Sequence, residues 1–343
     1  MPDSAGRGDG QSRVCVTGGT AAGGLGSPQP ERLRTRRVPG RRTASFCGRR
    51  KVNRPGRILV IGATGFLGRG LTESGSEMVP AAREPEDATG WVRVDLEDSP
   101  TVERALDEVD PAWVVNTAAV TSVDGCEKDP ALARRIHVDA VSKLAQACGE
   151  RRIRLLQLST NYVFDGEAGP YGEEDEAHPL SVYGRTKLEG EAVALSECEA
   201  CVVRTAVLFG FQSGVRPNFV TWALSALQEG ESIQVVTDEW ANPTWLPDLV
   251  TSIRGLTEKG ATGVVHVAGR DYLTRYEMVE ALCDVFGLRS DLVKPVRSAD
   301  LGQAARRPLR AGLRTDCVDR LLGSIGAPYR QHLETMKAAG TSG

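Results

Sequence analysis

Arg57-Ile58-Leu59-Val60-Ile61, followed at once by Gly62-Ala63-Thr64-Gly65-Phe66-Leu67-Gly68, is the stretch that decides the fold of this chain. The first five residues, four of them branched and apolar, read as a short buried strand. The glycine run reads as a tight turn that opens a helix through about residue 72. A Gly-x-x-Gly-x-x-Gly run alone is a weak signal, but strand, turn and helix start are the setting in which it binds a dinucleotide. There the first glycine makes the turn and the second lets backbone approach a pyrophosphate. The third lets helix and strand pack closely, and the helix N-terminus faces the anion.

Outward from this motif the alternation repeats. Strands are expected at residues 77–81, 91–94, 112–116, 153–158 and 200–208. One helix should open with Ser99 as cap and Pro100 at its first position. A second should run from Pro130 to about Gly149, with Ala133, Ile136, Ala140 and Leu144 at helical spacing, and a third across 182–195. Continuous apolar strands alternating with helices imply an α/β fold, a Rossmann-type doubly wound parallel sheet. Beyond Phe209 the pattern loosens, with helices near 218–228, 246–256 and 276–286 and strands near 233–236 and 264–267. These should build a smaller C-terminal substrate lobe over the carboxyl ends of the strands. The expected organisation is a disordered basic leader at 1–55 and a dinucleotide-binding domain at 56–210. A substrate lobe at 211–330, interleaved with that domain, and a tail at 331–343 complete it.

Charge separates the leader from the body. Residues 1–57 hold 13 Lys and Arg against 3 Asp and Glu, and the rest hold 29 against 42. An acidic body argues against nucleic acid as its partner. The leader, rich in Gly, Arg, Pro and Ser, has almost no apolar periodicity and should be disordered. Three readings compete for it: a targeting peptide, a nucleic-acid-binding tail through Arg clusters such as 34–37, or upstream sequence without function, the real start lying near Val52. The last is preferred. Within it, Val14-Cys15-Val16-Thr17-Gly18-Gly19 imitates the start of a dinucleotide fold, but the Pro- and Arg-rich run that follows leaves no helix or second strand. No run approaches the ~20 apolar residues of a membrane span and no apolar segment follows the basic residues, so a cytoplasmic protein is expected. Eight scattered cysteines in 343 residues read as reduced thiols, Cys198 and Cys201 included, since no second pair accompanies them. His137, His178, His266 and His332 show no metal-ligand spacing and no metal site is expected; the acidic run Glu173-Glu174-Asp175-Glu176 reads as a solvated loop.

The end of the second strand sets the choice of cofactor. A carboxylate there would bond the ribose hydroxyls and repel a 2′-phosphate, but the chain reads Ala81-Ala82-Arg83 with no acid before Glu84. A small residue followed by Arg suits NADPH over NADH; the competing reading makes Arg83 a solvated charge. Asp95 and Leu96 should border the adenine, and Ala118 and Ala119 should let the dinucleotide lie against backbone.

Tyr183-Gly184-Arg185-Thr186-Lys187 places Tyr and Lys on one helix face, and Ser159-Thr160-Asn161-Tyr162 ends the fifth strand where a hydroxyl would meet that Tyr. The chemistry asks for these types. Tyr183 donates a proton to a carbonyl oxygen as hydride reaches carbon, and Thr160 holds the carbonyl. Lys187 lowers the phenol pKa and bonds the nicotinamide ribose.

These residues resemble the extended short-chain dehydrogenases, and specifically the dTDP-4-dehydrorhamnose reductase family. The match is carried by Val114-Val115-Asn116-Thr117-Ala118-Ala119; by Ser159 through Asp165-Gly166; by Pro170-Tyr171-Gly172-Glu173-Glu174-Asp175; and by Tyr183 through Glu191. Arg204-Thr205, Asn218-Phe219, Val235-Val236-Thr237-Asp238, Asn242-Pro243-Thr244 and Arg307-Pro308 extend it, so it covers about residues 57–322. The resemblance implies reduction of a 4-keto group on a dTDP-6-deoxyhexose, with Thr160, Tyr183 and Lys187 catalytic. It implies a cofactor lying along Gly62, Thr64, Gly65, Phe66, Leu67, Gly68, Arg83, Asp95, Leu96, Ala118, Ala119, Val120 and Leu158. It further implies a nucleotide sugar beside Thr160, Asn161, Tyr162, Val207 and Asn218, and by analogy a homodimer. The chain departs from the family in Asn161 for Asp, Val207 for Trp, Val120 for Tyr and His137 for Asn, which leaves sugar and nucleotide open. It is similar also to the regulatory β-subunit of methionine adenosyltransferase, a non-catalytic alternative. A dehydratase would follow the Thr with an Asp-Glu pair, where this chain has Asn161-Tyr162.

Overall fold

The computed structural model describes residues 56–85 and 89–340. The leader expected at 1–55 lies outside them. Strand β1 (Ile58–Ile61) runs into helix α1 (Phe66–Thr72), then β2 (Met78–Ala82) and the short β3 (Val92–Arg93). Helix α2 (Ser99–Val109) precedes β4 (Trp113–Asn116), and α3 (Val123–Lys128) and α4 (Pro130–Arg134) follow it. A π-helical turn (Arg135–Asp139) links α4 to α5 (Ala140–Arg151), so the expected long helix carries one inserted wide turn. Next come β5 (Arg154–Thr160), α6 (Val182–Glu197) and β6 (Ala200–Thr205).

Helix α2 begins one residue earlier than its sequence suggested. Asp98 is at the cap with no side-chain capping bond, and Pro100 is second in the helix. Thr101 ties the first turn to the chain before it: its Oγ1 accepts from Asp95 N–H at 2.9 Å and donates to the Asp98 carbonyl at 2.7 Å. The sixth strand, expected to reach residue 208, stops at Thr205. Val207 has φ 40°, a left-handed conformation that a β-branched residue rarely adopts, and it breaks the ladder. The chain then passes through β7 (Leu208–Phe209), α7 (Phe219–Gln228), β8 (Ile233–Val236), β9 (Trp240–Ala241) and β10 (Thr244–Trp245). It continues through α8 (Leu246–Lys259), β11 (Gly263–His266), β12 (Leu273–Thr274), α9 (Arg275–Phe286), β13 (Val293–Val296), α10 (Asp316–Leu322) and α11 (Tyr329–Gly340).

Seven strands form one parallel sheet in the order β11-β6-β5-β4-β1-β2-β3. The order reverses at β1, so the crevice of a doubly wound fold opens between β1 and β4. Register makes its floor level: Ile61 lies opposite both Ala81 and Asn116. Side chains alternate across the pleat. Leu59, Ile61, Val114 and Leu155 pack under α2 and α5, while Ile58, Val60, Val115 and Leu156 pack under α1 and α8. Strand β11, placed by sequence in the lobe, is the edge of the main sheet, where Val265 joins the α8 core. A third core, with Phe209, Leu224, Val235, Met278, Leu282 and Val293, builds the lobe from α7, α9, β8 and β13. The segment read as a tail belongs to it: α11 sinks Leu333 and Met336 completely into that core. Every third or fourth residue of 329–340 is apolar, which is enough for docking. Among the described residues no helix is long and apolar enough to cross a membrane.

Candidate active site

The glycine turn sits at the carboxyl end of β1. Gly62 has φ 84°, and a side chain there would press on Thr117 Oγ1 at 2.7 Å and the Ala118 nitrogen at 2.9 Å, so only glycine fits. A Cβ on Gly68 would overlap the Gly62 carbonyl oxygen, because α1 lies directly on the turn. Gly65, by contrast, is exposed at the helix start, and a Cβ there would meet only Gly62 O at 3.2 Å. Backbone thus lies bare where a dinucleotide phosphate would approach, and the turn fits the cofactor class expected from sequence. Gly68→Ala should push α1 off the turn. We expect at least a tenfold weaker NADPH affinity by fluorescence titration, and a lower melting temperature; an unchanged titration would show that the turn tolerates the shift.

Of the remaining residues expected along the cofactor, Thr64 is exposed, Phe66 half-buried and Leu67 buried. Arg83 is exposed just past β2. The Asp95 carboxylate caps Glu97 N–H at 3.0 Å and Leu96 is buried in the core under α2. After β4 the chain is pinned at three points. Thr117 Oγ1 donates to the Ile61 carbonyl at 2.8 Å, Asn116 Oδ1 accepts from Ala118 N–H at 3.1 Å, and Val120 N–H donates to His137 Nε2 at 3.0 Å. These bonds level Ala118, Ala119 and Val120 beside the glycine turn.

His137 explains the π turn. Its Nε2 accepts a backbone N–H, so the ring proton lies on Nδ1 and is donated to Thr186 Oγ1 at 2.8 Å; Thr186 in turn donates to the Val182 carbonyl at 3.0 Å. Burial pushes the imidazole down to about 3, and the Lys187 charge adds to the effect, which keeps the ring neutral. The ring thereby ties the loop after β4 to α6. The backbones touch as well, since a Cβ on Gly190 would overlap the His137 carbonyl oxygen.

The structure brings Thr160, Tyr183 and Lys187 together. Serine 181 caps α6, accepting from Gly184 N–H at 3.2 Å, and sets Tyr183 in the first turn. The Tyr183 ring stands edge-on to His137 at 5.7 Å and to Tyr162 at 5.8 Å. Burial pushes the phenol up to about 12, opposed by the Thr160 hydroxyl. The expected lowering by Lys187 is therefore corrected: the phenol is protonated at neutral pH, the state a proton donor needs. Lys187 Nζ donates to the Leu158 carbonyl at 2.6 Å, and burial pushes the ammonium down to about 8, opposed by the charge of Glu191.

Ser159, next to Thr160 on β5, faces the other side of the strand. It donates to Glu191 Oε1 at 2.5 Å, and Glu191 holds Arg204 of β6 through two bonds, 2.9 Å to Nε and 2.6 Å to Nη2. Glu191 stands one turn beyond Lys187, as Lys187 stands one turn beyond Tyr183. That spacing was the available signal for this pair, and sequence reasoning passed over it.

On the substrate side the expected residues divide. Tyr162 faces Tyr183. Asn161 is buried and tied to the protein, its Nδ2 donating to the Ala311 carbonyl at 2.9 Å and its Oδ1 accepting from Thr160 at 3.3 Å. Asn218 caps α7, its Oδ1 accepting from Val220 and Thr221 N–H at 3.1 Å each and its Nδ2 donating to the Gly210 carbonyl at 2.8 Å. Its amide is thus committed to the lobe. Val207 packs between two cores. Arg307 was noticed only as part of a motif; it pairs with both carboxylate oxygens of Asp124 at 3.1 and 3.0 Å, clamping α3 to the C-terminal segment. Cys201 is fully buried in β6 and Cys198 half-buried, and burial pushes both thiols up to about 12, which disfavours the reactive thiolate. Among the described residues no cluster of His, Cys, Asp and Glu could hold a metal ion.

Comparison with known proteins places this geometry. The family described as RmlD substrate binding domain matches residues 56–341. The chain is 34% identical over 290 residues to the probable low-salt glycan biosynthesis reductase Agl14 of Haloferax volcanii, covering 82% of this chain and 97% of that protein. It is 32% identical over 291 residues to methionine adenosyltransferase 2 subunit beta of Danio rerio, covering 80% of this chain and 88% of that one. Among solved structures, dTDP-4-dehydrorhamnose reductase from Bacillus anthracis in complex with NADP superposes with a TM-score of 0.75 at 27% identity, covering 83% of this chain and 99% of that one.

Proposed function

The chain belongs to the RmlD substrate binding domain family, and from that premise we propose that it is an NADPH-dependent reductase of a 4-keto group on a nucleotide-linked deoxysugar. The observation that carries the reading is the set at the carboxyl end of β5: Thr160, Tyr183 edge-on to Tyr162 at 5.8 Å, and one helical turn on Lys187, held by the Leu158 carbonyl at 2.6 Å. A bound nicotinamide dinucleotide supplies the hydride. Gly62, Gly65 and the helix start would hold its pyrophosphate, and Ala118 to Val120 its nicotinamide half.

The roles of the side chains follow from their atoms. Thr160 Oγ1 and the Tyr183 hydroxyl together fix the carbonyl oxygen of the sugar. Tyr183 gives its proton to that oxygen as carbon is reduced, and the Lys187 ammonium, held by the Leu158 carbonyl, stabilises the phenolate left behind. The lobe built on α7, α9 and α11 takes the rest of the nucleotide sugar.

Turnover is tested by following NADPH and NADH absorbance with a dTDP-4-keto-6-deoxyhexose. Oxidation of the cofactor with formation of the hydroxyl sugar supports the proposal; cofactor binding without turnover of any nucleotide keto-sugar would sink it. Arg83 supports NADPH, being an exposed cation just beyond β2. Arg83→Ala should raise the KM for NADPH about tenfold, the loss of one charge-assisted bond, and leave that for NADH unchanged. Equal effects on both cofactors would make Arg83 a solvated surface charge.

The similarity to methionine adenosyltransferase 2 subunit beta favours a second reading, a regulatory subunit that binds the cofactor without turnover. Co-purification with a methionine adenosyltransferase catalytic subunit, together with no reductase activity, would favour it.

A further inference from the structure

One buried carboxylate near the site has no part in proton or hydride transfer. Glu239, immediately before β9, is 8% exposed, and its Oε1 is buried without a hydrogen-bond partner among the described residues. Orphaned buried acceptors are rare in native proteins and ask for a partner. Backbone bonds explain what surrounds it. Arg275 N–H donates to the Glu239 carbonyl at 3.1 Å, and Trp240 N–H donates to the Leu309 carbonyl at 2.6 Å, drawing the segment that carries Arg307 alongside. Burial raises the Glu239 carboxyl, and the charges of Arg275 and Arg307 oppose the rise, so both guanidinium groups act on it.

The two arginines are not equivalent. Arg307 is held by both oxygens of Asp124. Arg275 lies over the Phe219 ring at 4.9 Å, and its charge acts on the phenol of Tyr162, whose ring meets Tyr183 at 5.8 Å. Phe219 in turn neighbours Trp222 at 6.1 Å, and Trp222 is 44% exposed. A continuous row therefore leads from the proton donor through Tyr162, Arg275 and Phe219 to the surface. The row offers a cation followed by aromatic faces, and the Glu239 backbone is bonded to its cation, Arg275.

We propose that Glu239 is a specificity-determining residue, its free Oε1 accepting a hydrogen bond from a ring hydroxyl of the sugar near the carbon being reduced, while Arg275 binds the diphosphate. This assignment rests on the nucleotide-sugar reading above. A site built to bond a hydroxyl rejects analogues that lack it, because the buried acceptor is then left unpaired.

The test is calorimetric and needs no turnover. Affinities of the full chain, saturated with NADP, are measured for dTDP and for dTDP-rhamnose, and the ratio isolates the contribution of the sugar. Glu239→Gln should reduce that ratio about tenfold, and Glu239→Ala at least as much, with dTDP affinity unchanged and melting temperatures near that of the parent chain. Arg275→Ala should weaken both ligands about tenfold. An unchanged ratio in Glu239→Gln, or equal losses for dTDP and dTDP-rhamnose in that variant, would overturn the assignment, the second result marking Glu239 as a buttress for the arginines. Failure of the parent chain to bind either ligand overturns it as well. Failure of the reductase reading shows separately, as absence of NADPH oxidation by a chain that still binds dTDP-rhamnose.

Discussion

Tyr183→Phe should lower kcat for reduction of the keto-sugar by about 10²–10⁴-fold, the range contributed by a positioned proton donor, and leave NADPH affinity within a few-fold of the parent value. The substitution removes only the hydroxyl. The ring keeps its edge contacts with His137 and Tyr162, so the loop after β4 and the start of α6 stay in place. Stopped-flow single turnovers measure the step directly; a rate within a factor of three of the parent would mean that another group delivers the proton. The pH profile separates the two partners. Burial holds the Tyr183 phenol up at about 12 and Lys187 down at about 8. As pH rises through 8 the ammonium becomes neutral while the phenol stays protonated, so kcat/KM should fall on the alkaline side with an apparent pKa near 8, set by Lys187. A profile flat to pH 10 would show that the cation is dispensable.

Arg204→Ala should cost about 3–5 kcal/mol of stability, because it strands a carboxylate in the interior. Glu191 and Arg204 side chains are only 3% and 6% exposed, and they are joined at 2.6 Å behind the active site. Arg204 also reaches His266 Nε2 at 3.4 Å and stacks over the Phe164 ring at 5.1 Å, so its loss unpicks the junction of β5, β6 and β11. Against a typical domain stability of ~5–15 kcal/mol the effect is large. Urea midpoints measure it, and the double variant Arg204→Met with Glu191→Leu should recover much of the loss by removing both charges together. A single-variant loss below about 1 kcal/mol would show that water already reaches the pair. In the double variant the alkaline limb set by Lys187 should move to lower pH, since Glu191 supplies the negative charge that opposes the lowering of Lys187.

Much of this protein is legible in its sequence where the determinants are local. The apolar run 58–61 and the glycines after it define a strand, turn and helix within about fifteen residues, and the doubly wound parallel sheet follows from repetition of that unit. Tyr183 and Lys187 declare themselves through helical spacing, and Thr160 through its place at the end of a strand. The errors are also local in kind. Helix α2 opens at Asp98 without the side-chain cap expected of Ser99, and the strained backbone of Val207 ended β6 early. The segment 331–343 was read as a tail, although most of it forms α11, because its apolar face acquires meaning only against α9.

Residue types and periodicity along the chain were by themselves sufficient for the sheet, the glycine turn after β1 and the placing of Tyr183 and Lys187 on one helix and of Thr160 at a strand end. Each depends on contacts between neighbours or on helical and strand periods, which a linear text preserves. Tertiary structure alone decided the rest. It paired Arg307 with Asp124 across 183 positions, put Arg204 against Glu191 in the interior, and assigned β11 to the main sheet. It also left Glu239 Oε1 buried and without a hydrogen-bond partner among the described residues. The worth of a charge depends on its burial and on what lies within a few ångströms, and both are set by chain segments that meet only once the sheet and lobe have closed on each other.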